Sequence, residues 1–361
     1  MPFTEIAQVG ERGLIEMIGS LVELEPEDSS LSEGLIKGIS DDTAVYRPTP
    51  GSVQLFTTDT MVEGVDFDLT YTSFKHLGWK AMISSMSDIG AMGGRPRYAV
   101  VAIAVPRKIS VEMVREVYEG AVAACREYRC LIVGGDTSAS VGNVSINVAM
   151  VGEAEEAHVC YRSGAKIGDL ICVTGDLGAS QAGLKVLLKE KERFLKSGNG
   201  GGFQPNLLPY KEAIEKHFMP RPRVMTAEMI LQRTAIHAMI DISDGLASDL
   251  RQICARSRVG AEIEQRNIPI ASTARKVAQE FSESPIDYAL YGGEEYELLF
   301  TLSQEQYQKL EGLGSPISVI GSIVQQSKGV EMVAENADRV ALPWGGWDHF
   351  RLGESRRRAQ E

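Results

Sequence analysis

The sequence predicts a two-domain α/β protein with mixed sheets, and three observations carry that prediction. Its 361 residues exceed the usual size of one domain. Hydrophobic residues make up 43% and charged residues 24%, the balance of a globular chain with a sizeable core. Strand-like and helix-like patterns alternate in two successive blocks, residues 1–152 and 153–361.

In the first block, Ile6, Leu14, Ile15 and Ile18 can line one face of an opening helix. Ser52 to Thr57 alternates as a strand does and runs into TTDT, and a helix is expected from Phe74 to Met92. A β-rich run from Tyr98 to Val105 follows. Ser110 is placed as the N-cap of the next helix, which carries Val114, Val117, Ala121 and Ala124 at core-facing spacing. A strand from Leu131 to Val133 ends in GGDT, and Val144, Ile146 and Val148 alternate on one face of the strand that closes the block.

The second block begins with a strand at Leu170 to Thr174 that leads through GDLGAS into a helix, Gln181 to Leu195. The run SGNGGGF, Ser197 to Phe203, has the composition of an internal loop. A strand from Ala238 to Ile242 feeds ISDGLASDL, a helix start. A second strand, Tyr288 to Tyr291, feeds the turn and strand of GGEEYELLFTL, and Ile317 to Val324 and Val330 to Val333 complete the set.

The net charge of -12 argues against a nucleic-acid surface, because phosphate backbones are held by clustered Lys and Arg. The one dense basic run, Arg356 to Arg358, reads as a solvated tail. The five cysteines form no CxxC pair and no HExxH accompanies them, so zinc is unsupported. With no basic-then-apolar N-terminus and no run of 18 apolar residues, neither export nor a membrane is indicated, and the chain is expected to be cytoplasmic.

Above this background stands a set of aspartates at strand ends or in apolar helices: Asp41, Asp42, Asp59, Asp88, Asp136, Asp241 and Asp244. Asp88 sits among Trp79, Met82, Ile83, Met86, Ile89 and Met92, where an ionised carboxylate requires a cation or strong donors. A buried Asp that caps a neighbour is the alternative. No matching cluster of Lys or Arg accompanies SDD, TTDT, MSDI, GGDT or DISDG, so hard metal ions such as Mg²⁺ are the expected partners. Thr57, Thr58, Thr60, Thr137 and Ser243 add neutral oxygens. Gly134 and Gly135 in GGDT, and Gly175 and Gly178 in GDLG, would let backbone N–H groups approach an anion, with the helix after GDLGAS turning its positive end there. Ordinary strand-to-helix turns would use the same glycines. There is no GxxxxGK[ST], HRD, DFG or GxSxG, which excludes P-loop enzymes, protein kinases and nucleophile-elbow hydrolases.

Taken in order, GISDDTAVY, TTDTMVEGVDF, KAMISSMSDIGAMGG, GGDTSAS, RSGAKIGD, MIDISDGLASDL, LYGGEEYELLF and the terminal WGGWDHF resemble the motifs of the thiamine-monophosphate kinase family, covering nearly the whole chain. The resemblance implies the two-domain aminoimidazole-ribonucleotide synthetase-like fold, with an N-terminal domain that dimerises through its sheet, hence a homodimer. It implies transfer of the γ-phosphoryl group of ATP to thiamine monophosphate, assisted by several Mg²⁺ ions. Carried over by motif, Asp42, Thr57, Thr58, Asp59, Asp88, Asp136, Asp241 and Asp244 would be metal ligands, with Asp88, Asp136 and Asp244 central to catalysis. Gly135, Asp136, Arg162 and Ser243 would contact ATP, and Glu294 and Trp347 the thiamine substrate.

Two positions depart from the family pattern. Ser40 replaces a common Gly before the paired Asp, and Val65, Asp66 and Phe67 stand where a substrate-contacting His is usual. Asp66, the substrate-side candidate there, cannot donate to phosphate when ionised and could act only through a metal or water. Rival expectations are a sister enzyme of the same superfamily and a non-catalytic Mg-nucleotide binder. The first Cys at Cys125 and the ending AQE argue against selenophosphate synthetase and the hydrogenase-maturation protein.

Overall fold

The computed structural model describes residues 3–23, 32–39, 42–197 and 203–346. Ser40, Asp41, Trp347 and residues 198–202 of the glycine-rich stretch lie outside the described residues. The chain divides into two compact units, Met1–Cys160 with Arg221–Gln232, and Tyr161–Pro220 with Arg233–Glu361.

The first unit opens with α1 (Ile6–Val22), kinked at Gly10, whose φ of 67° leaves the helical region. Leu14 and Ile18 are buried, whereas Ile15 is exposed. A short ribbon, β1 (Leu35–Lys37) and β2 (Val45–Tyr46), precedes β3 (Ser52–Val62), α2 (Phe74–Ala91), β4 (Arg95–Val105), α3 (Val111–Tyr128), β5 (Leu131–Ala139) and β6 (Ser145–Glu155). The strands form a four-stranded sheet in the order β3-β6-β4-β5. Only β4 and β5 run parallel; the other pairs are antiparallel.

Helices α2 and α3 start at Ser73 and Ser110, whose hydroxyls accept the N–H groups of His76 and Met113, caps worth roughly 1 kcal/mol each. The two helices touch along glycines. A Cβ on Gly78 would stand 1.8 Å from the Val117 carbonyl oxygen, and one on Gly120 1.9 Å from that of Lys75. Together they bury Met82, Ile83, Met86, Val114, Val117 and Ala121, while Val101, Ile103, Ile146, Val148 and Met150 are buried on the sheet.

The opposite sheet face is open over much of its length: Phe56 is 75% exposed, and Thr58 and Thr60 are exposed beside it. One end is covered, where Leu35, Ala44 and Tyr46 pack on Tyr98, Leu131 and Val133.

Both strands run further than the sequence pattern indicates. TTDT lies inside β3, paired without a break to β6 from Ser52–Glu155 to Val62–Ser145. GGDT lies inside β5, with Gly135 opposite Val101 and Asp136 opposite Ala102. A Cβ on Gly135 would stand 2.1 Å from the Val101 oxygen, so glycine serves close strand packing here rather than a turn.

In the second unit β7 (Leu170–Thr174), α4 (Ala179–Lys196) and α5 (Lys211–Phe218) come first. Then α6 (Val224–Leu231) joins the first unit, where Val224 abuts Gly90 of α2. There follow β8 (Ala238–Asp241), α7 (Leu246–Ser257), β9 (Gly260–Glu264), α8 (Ser272–Phe281), α9 (Pro285–Tyr291), β10 (Leu298–Leu302), α10 (Gln304–Gln308), β11 (Ile317–Val324), β12 (Val330–Val333) and β13 (Arg339–Ala341). The seven-stranded sheet has the order β13-β12-β9-β11-β7-β10-β8, parallel only between β12 and β9.

Tyr288 to Tyr291, expected as a strand, is the end of helix α9. Pro285 starts that helix after an extended Ser284, and Tyr288, Ala289 and Leu290 face the core. Mixed sheets in both units agree with the predicted fold class. All five cysteines are buried and unpaired. No helix among the described residues is long and apolar enough to cross a membrane.

Candidate active site

In the first unit the alternation of β3 decides which oxygens meet. Thr57 and Asp59 point toward α2, where the Thr57 hydroxyl donates to Asp88 Oδ2 at 2.5 Å and the Ser85 hydroxyl to Asp59 Oδ2 at 2.6 Å. Burial, and then the negative charge of Asp88, push the Asp59 carboxyl up to about 6 against the Ser85 hydrogen bond. Two half-buried carboxylates and a hydroxyl thus share one spot that calls for positive charge.

Thr58 falls on the open face, where Asn147 Nδ2 reaches its hydroxyl at 3.2 Å and that of Thr60 at 2.7 Å. Its side chain is therefore not brought to Asp59 and Asp88. Asp136 is exposed on β5, and its charge adds to the burial that raises the Tyr118 phenol on α3; Gly135 is exposed beside it. Asp42 is exposed just before β2. Asp66 has a local task, since its Oδ2 accepts the Val62 N–H at 2.8 Å and closes the turn that follows β3.

In the second unit β8 ends on buried Asp241, and half-buried Ser243 and Asp244 lead through Gly245, at φ 114°, into α7. Asp249, fully buried in the first turn of α7, accepts the N–H groups of Ser243 (3.1 Å) and Asp244 (3.2 Å) on Oδ2. Its Oδ1 has no hydrogen-bond partner. Burial, with the charges of Asp244 and Asp241, holds its carboxyl well above the usual range. Sequence reasoning passed over Asp249, although it lies among Leu246, Leu250 and Ile253 as Asp88 lies among its apolar neighbours. Arg162 is exposed and donates to Gln252 Oε1 at 2.7 Å.

The GGEEYE segment, residues 292–297, joins α9 to β10. Glu294 and Tyr296 have φ of 62° and 52°, a left-handed conformation that costs a non-glycine residue roughly 1–2 kcal/mol. Backbone bonds hold it: Glu294 N–H to Ser243 O (2.8 Å), Tyr296 N–H to Ile242 O (2.8 Å) and Ile242 N–H to Glu297 O (2.7 Å). The three glutamates go to different places. Glu297 Oε2 accepts the Thr174 hydroxyl at 2.7 Å and Oε1 accepts Lys216 Nζ at 2.9 Å. Glu295 Oε1 accepts the N–H groups of Gly178 (2.8 Å) and Ser180 (3.1 Å) at the start of α4. Glu294 Oε2 lies 3.4 Å from His217 Nδ1.

The positive end of α4 is therefore occupied by an internal carboxylate. This corrects the expectation that the helix after GDLGAS turns it toward a phosphate.

Glu295 has a measurable consequence. Burial pushes its carboxyl up to about 7, against Lys216 and the two N–H donors that lower it. A carboxyl whose folded value lies above its ordinary 4.5 binds more protons folded than unfolded, so stability falls as pH rises from 4.5 through about 7. Glu295→Gln keeps an acceptor for the two N–H groups and removes the charge. Its urea midpoint relative to the parent is expected to rise between pH 5 and pH 8; a difference independent of pH would contradict this account.

Among the described residues no three His, Cys, Asp or Glu side chains gather closely enough to hold a metal ion, so no complete carboxylate cage is present in either unit. The donors that do gather are carboxylates and hydroxyls, the hard oxygens that suit Mg²⁺. The raised Asp59 and the partnerless Asp249 oxygen mark negative charge in excess.

This fold and carboxylate set define a protein of the AIR synthase-related class. The AIR synthase related protein, N-terminal domain, model matches residues 40–154, and the C-terminal domain model matches residues 166–334. The thiamine-monophosphate kinase of Bacillus subtilis (strain 168) is 35% identical over 320 residues, spanning 87% of this chain and 93% of the relative. Among solved structures, the thiamine-monophosphate kinase of Stenotrophomonas maltophilia K279a matches with a TM-score of 0.73 and 29% identity, covering 88% of this chain and 95% of its own. AaThiL complexed with AMPPCP and TMP matches with a TM-score of 0.71 and 33% identity, covering 95% and 98%. The chain belongs to the thiamine-monophosphate kinase family.

Proposed function

We propose that this chain transfers the γ-phosphoryl group of ATP to thiamine monophosphate, giving thiamine diphosphate and ADP. The observation that carries the reading is the pairing of Asp59 with Asp88 beneath Thr57 and Ser85, in a chain of this family. The complex of a relative with AMPPCP and TMP supports the choice of both substrates.

The acceptor is itself a phosphate with a second pKa of about 6, so its oxygen is largely ionised near neutrality and needs no general base. The barrier is anion repulsion. Two unit charges about 4 Å apart cost roughly 4 kcal/mol at an effective dielectric of 20, and acceptor and ATP present several such pairs. An acceptor oxygen attacks the γ-phosphorus in line, the bond from that phosphorus to the β–γ bridging oxygen breaks, and ADP leaves with the electron pair.

Asp59, Asp88 and Thr57 in the first unit, Asp241 and Asp244 in the second, and Asp42, Asp136 and Thr58 would hold Mg²⁺, phosphate oxygens and water completing the coordination. Bound Mg²⁺ would neutralise the phosphates. Gly135, Arg162 and Ser243 would contact ATP, Arg162 through charge-assisted hydrogen bonds. Glu294 would set a negative charge against the cationic thiazolium, and Trp347 an aromatic face. The test is chromatographic: with Mg²⁺ and ATP, thiamine monophosphate is expected to yield thiamine diphosphate and ADP, and absence of the diphosphate would reject the reading.

A homodimer formed through the open face of the four-stranded sheet belongs to the same proposal, because a face carrying exposed Phe56 and Val100 invites apolar cover. Light scattering is expected to give twice the chain mass for the parent and the single mass for Phe56→Glu. A parent that runs as a monomer would remove the dimer from the proposal.

A further inference from the structure

We infer that His217 is a positioning residue for substrate recognition, its buried imidazole holding the Glu294 carboxylate in the orientation that receives the thiamine moiety. The inference rests on the reading of Glu294 as a substrate contact.

The backbone of Glu294 is already fixed. Its φ of 62° is held by the bond to the Ser243 oxygen, and the residues that follow it are anchored through Glu295 and Glu297, both fully buried. What remains to be set is the side chain, which is 27% exposed and has three rotatable bonds. His217, 4% exposed on α5, places Nδ1 3.4 Å from Glu294 Oε2 and 3.2 Å from the hydroxyl of Ser180, itself 1% exposed at the start of α4.

The tilted ring contact with Phe218, centroids 5.6 Å apart, limits the imidazole from the side. The residue before it, Lys216, holds Glu297, so consecutive residues of one helix secure two carboxylates of one loop. A buried imidazole is costly unless its nitrogens are engaged, and this one is engaged on the sole carboxylate of the three that reaches solvent. Held on one oxygen, Glu294 keeps its charge in a fixed place for a cationic or N–H-bearing ring.

The experiment compares parent, His217→Leu and His217→Asn by steady-state kinetics in each substrate. His217→Leu is expected to raise KM for thiamine monophosphate about tenfold or more, the scale of a lost polar contact to a charged group, with KM for ATP changed by less than about twofold. His217→Asn, whose side-chain amide can stand where Nδ1 stands, is expected to recover to within about threefold of the parent. A parallel rise in both KM values, no rise in either, or an asparagine variant as impaired as leucine would overturn the inference. Should His217→Leu fail to fold, His217→Gln takes its place, because its amide reaches the Nε2 position and not Nδ1. A parent without diphosphate formation would instead sink the kinase reading itself, so the two failures are distinguishable.

Discussion

Asp88→Asn is expected to lower kcat for diphosphate formation on the order of a thousandfold, the scale on which removal of one charge-stabilising group is felt at a phosphoryl centre. The same change is expected to make the metal-free protein slightly more stable at neutral pH. Asn is nearly isosteric, and its amide oxygen still accepts from Thr57, so the packing around α2 is kept. What disappears is one of two adjacent negative charges. Asp59 carries a carboxyl raised from 3.8 to about 6, with Asp88 the second contributor after burial. In the parent, the ionised form of Asp59 is therefore disfavoured in the folded state, and stability is lost as pH rises through that interval. Without the Asp88 charge that loss shrinks by roughly 1 kcal/mol, given about 1.4 kcal/mol per pKa unit. Thermal unfolding without Mg²⁺ should then show the variant above the parent at pH 7.5 and level with it near pH 4. Turnover retained in Asp88→Asn, or a variant less stable than the parent at pH 7.5, would refute the account of Asp88 as a charge held in readiness for a cation.

The opposition of function and stability at Asp88 is why it was legible in the sequence. A carboxylate in an apolar helical pattern is an anomaly with few physical explanations, and the pattern of α2 is strong enough to expose it. Asp249 presents the same anomaly within Leu246–Ser257, but the DISDG motif just before it makes Asp241 and Asp244 the more conspicuous carboxylates. The structure gives Asp249 the task of accepting the N–H groups of Ser243 and Asp244. Other features depend on partners distant in sequence. Gly178 reads as a phosphate-binding glycine because local sequence cannot show that Glu295 fills the helix start there, just as it cannot show that the Val101 carbonyl crowds Gly135. Thr58 is adjacent to Thr57 and Asp59 in sequence, but a strand that continues through TTDT turns its side chain to the opposite face, toward Asn147. The packing of residues 221–232 with the first unit leaves no trace in periodicity, since an amphipathic helix does not encode which core it completes.

The firmest support of the GGEEYE loop is also where the second unit is most vulnerable. Lys216→Met is expected to destabilise that unit by about 3–5 kcal/mol, the cost of removing one partner from a buried ion pair. Lys216 Nζ stands 2.9 Å from Glu297 Oε1 and 3.9 Å from Glu295 Oε2, and both carboxylates are fully buried. Glu297 cannot swing aside, because its carboxylate packs where a Cβ of Gly175 would be, 2.6 Å from Oε1, and Thr174 holds the other oxygen. Without the ammonium the two groups must take up protons or remain charged without a counter-ion. Lys216 is a contributor that lowers the Glu295 carboxyl, so its removal drives that carboxyl further above about 7 and steepens the fall of stability with rising pH. Urea unfolding followed by circular dichroism should therefore give a loss that is largest at pH 8 and smaller at pH 5. Adding Glu297→Gln to Lys216→Met should recover part of it at pH 8 by removing one orphaned charge. A loss equal at both pH values, with no recovery in the double variant, would mean that Lys216 stabilises the loop through the packing of its alkyl chain rather than through its charge.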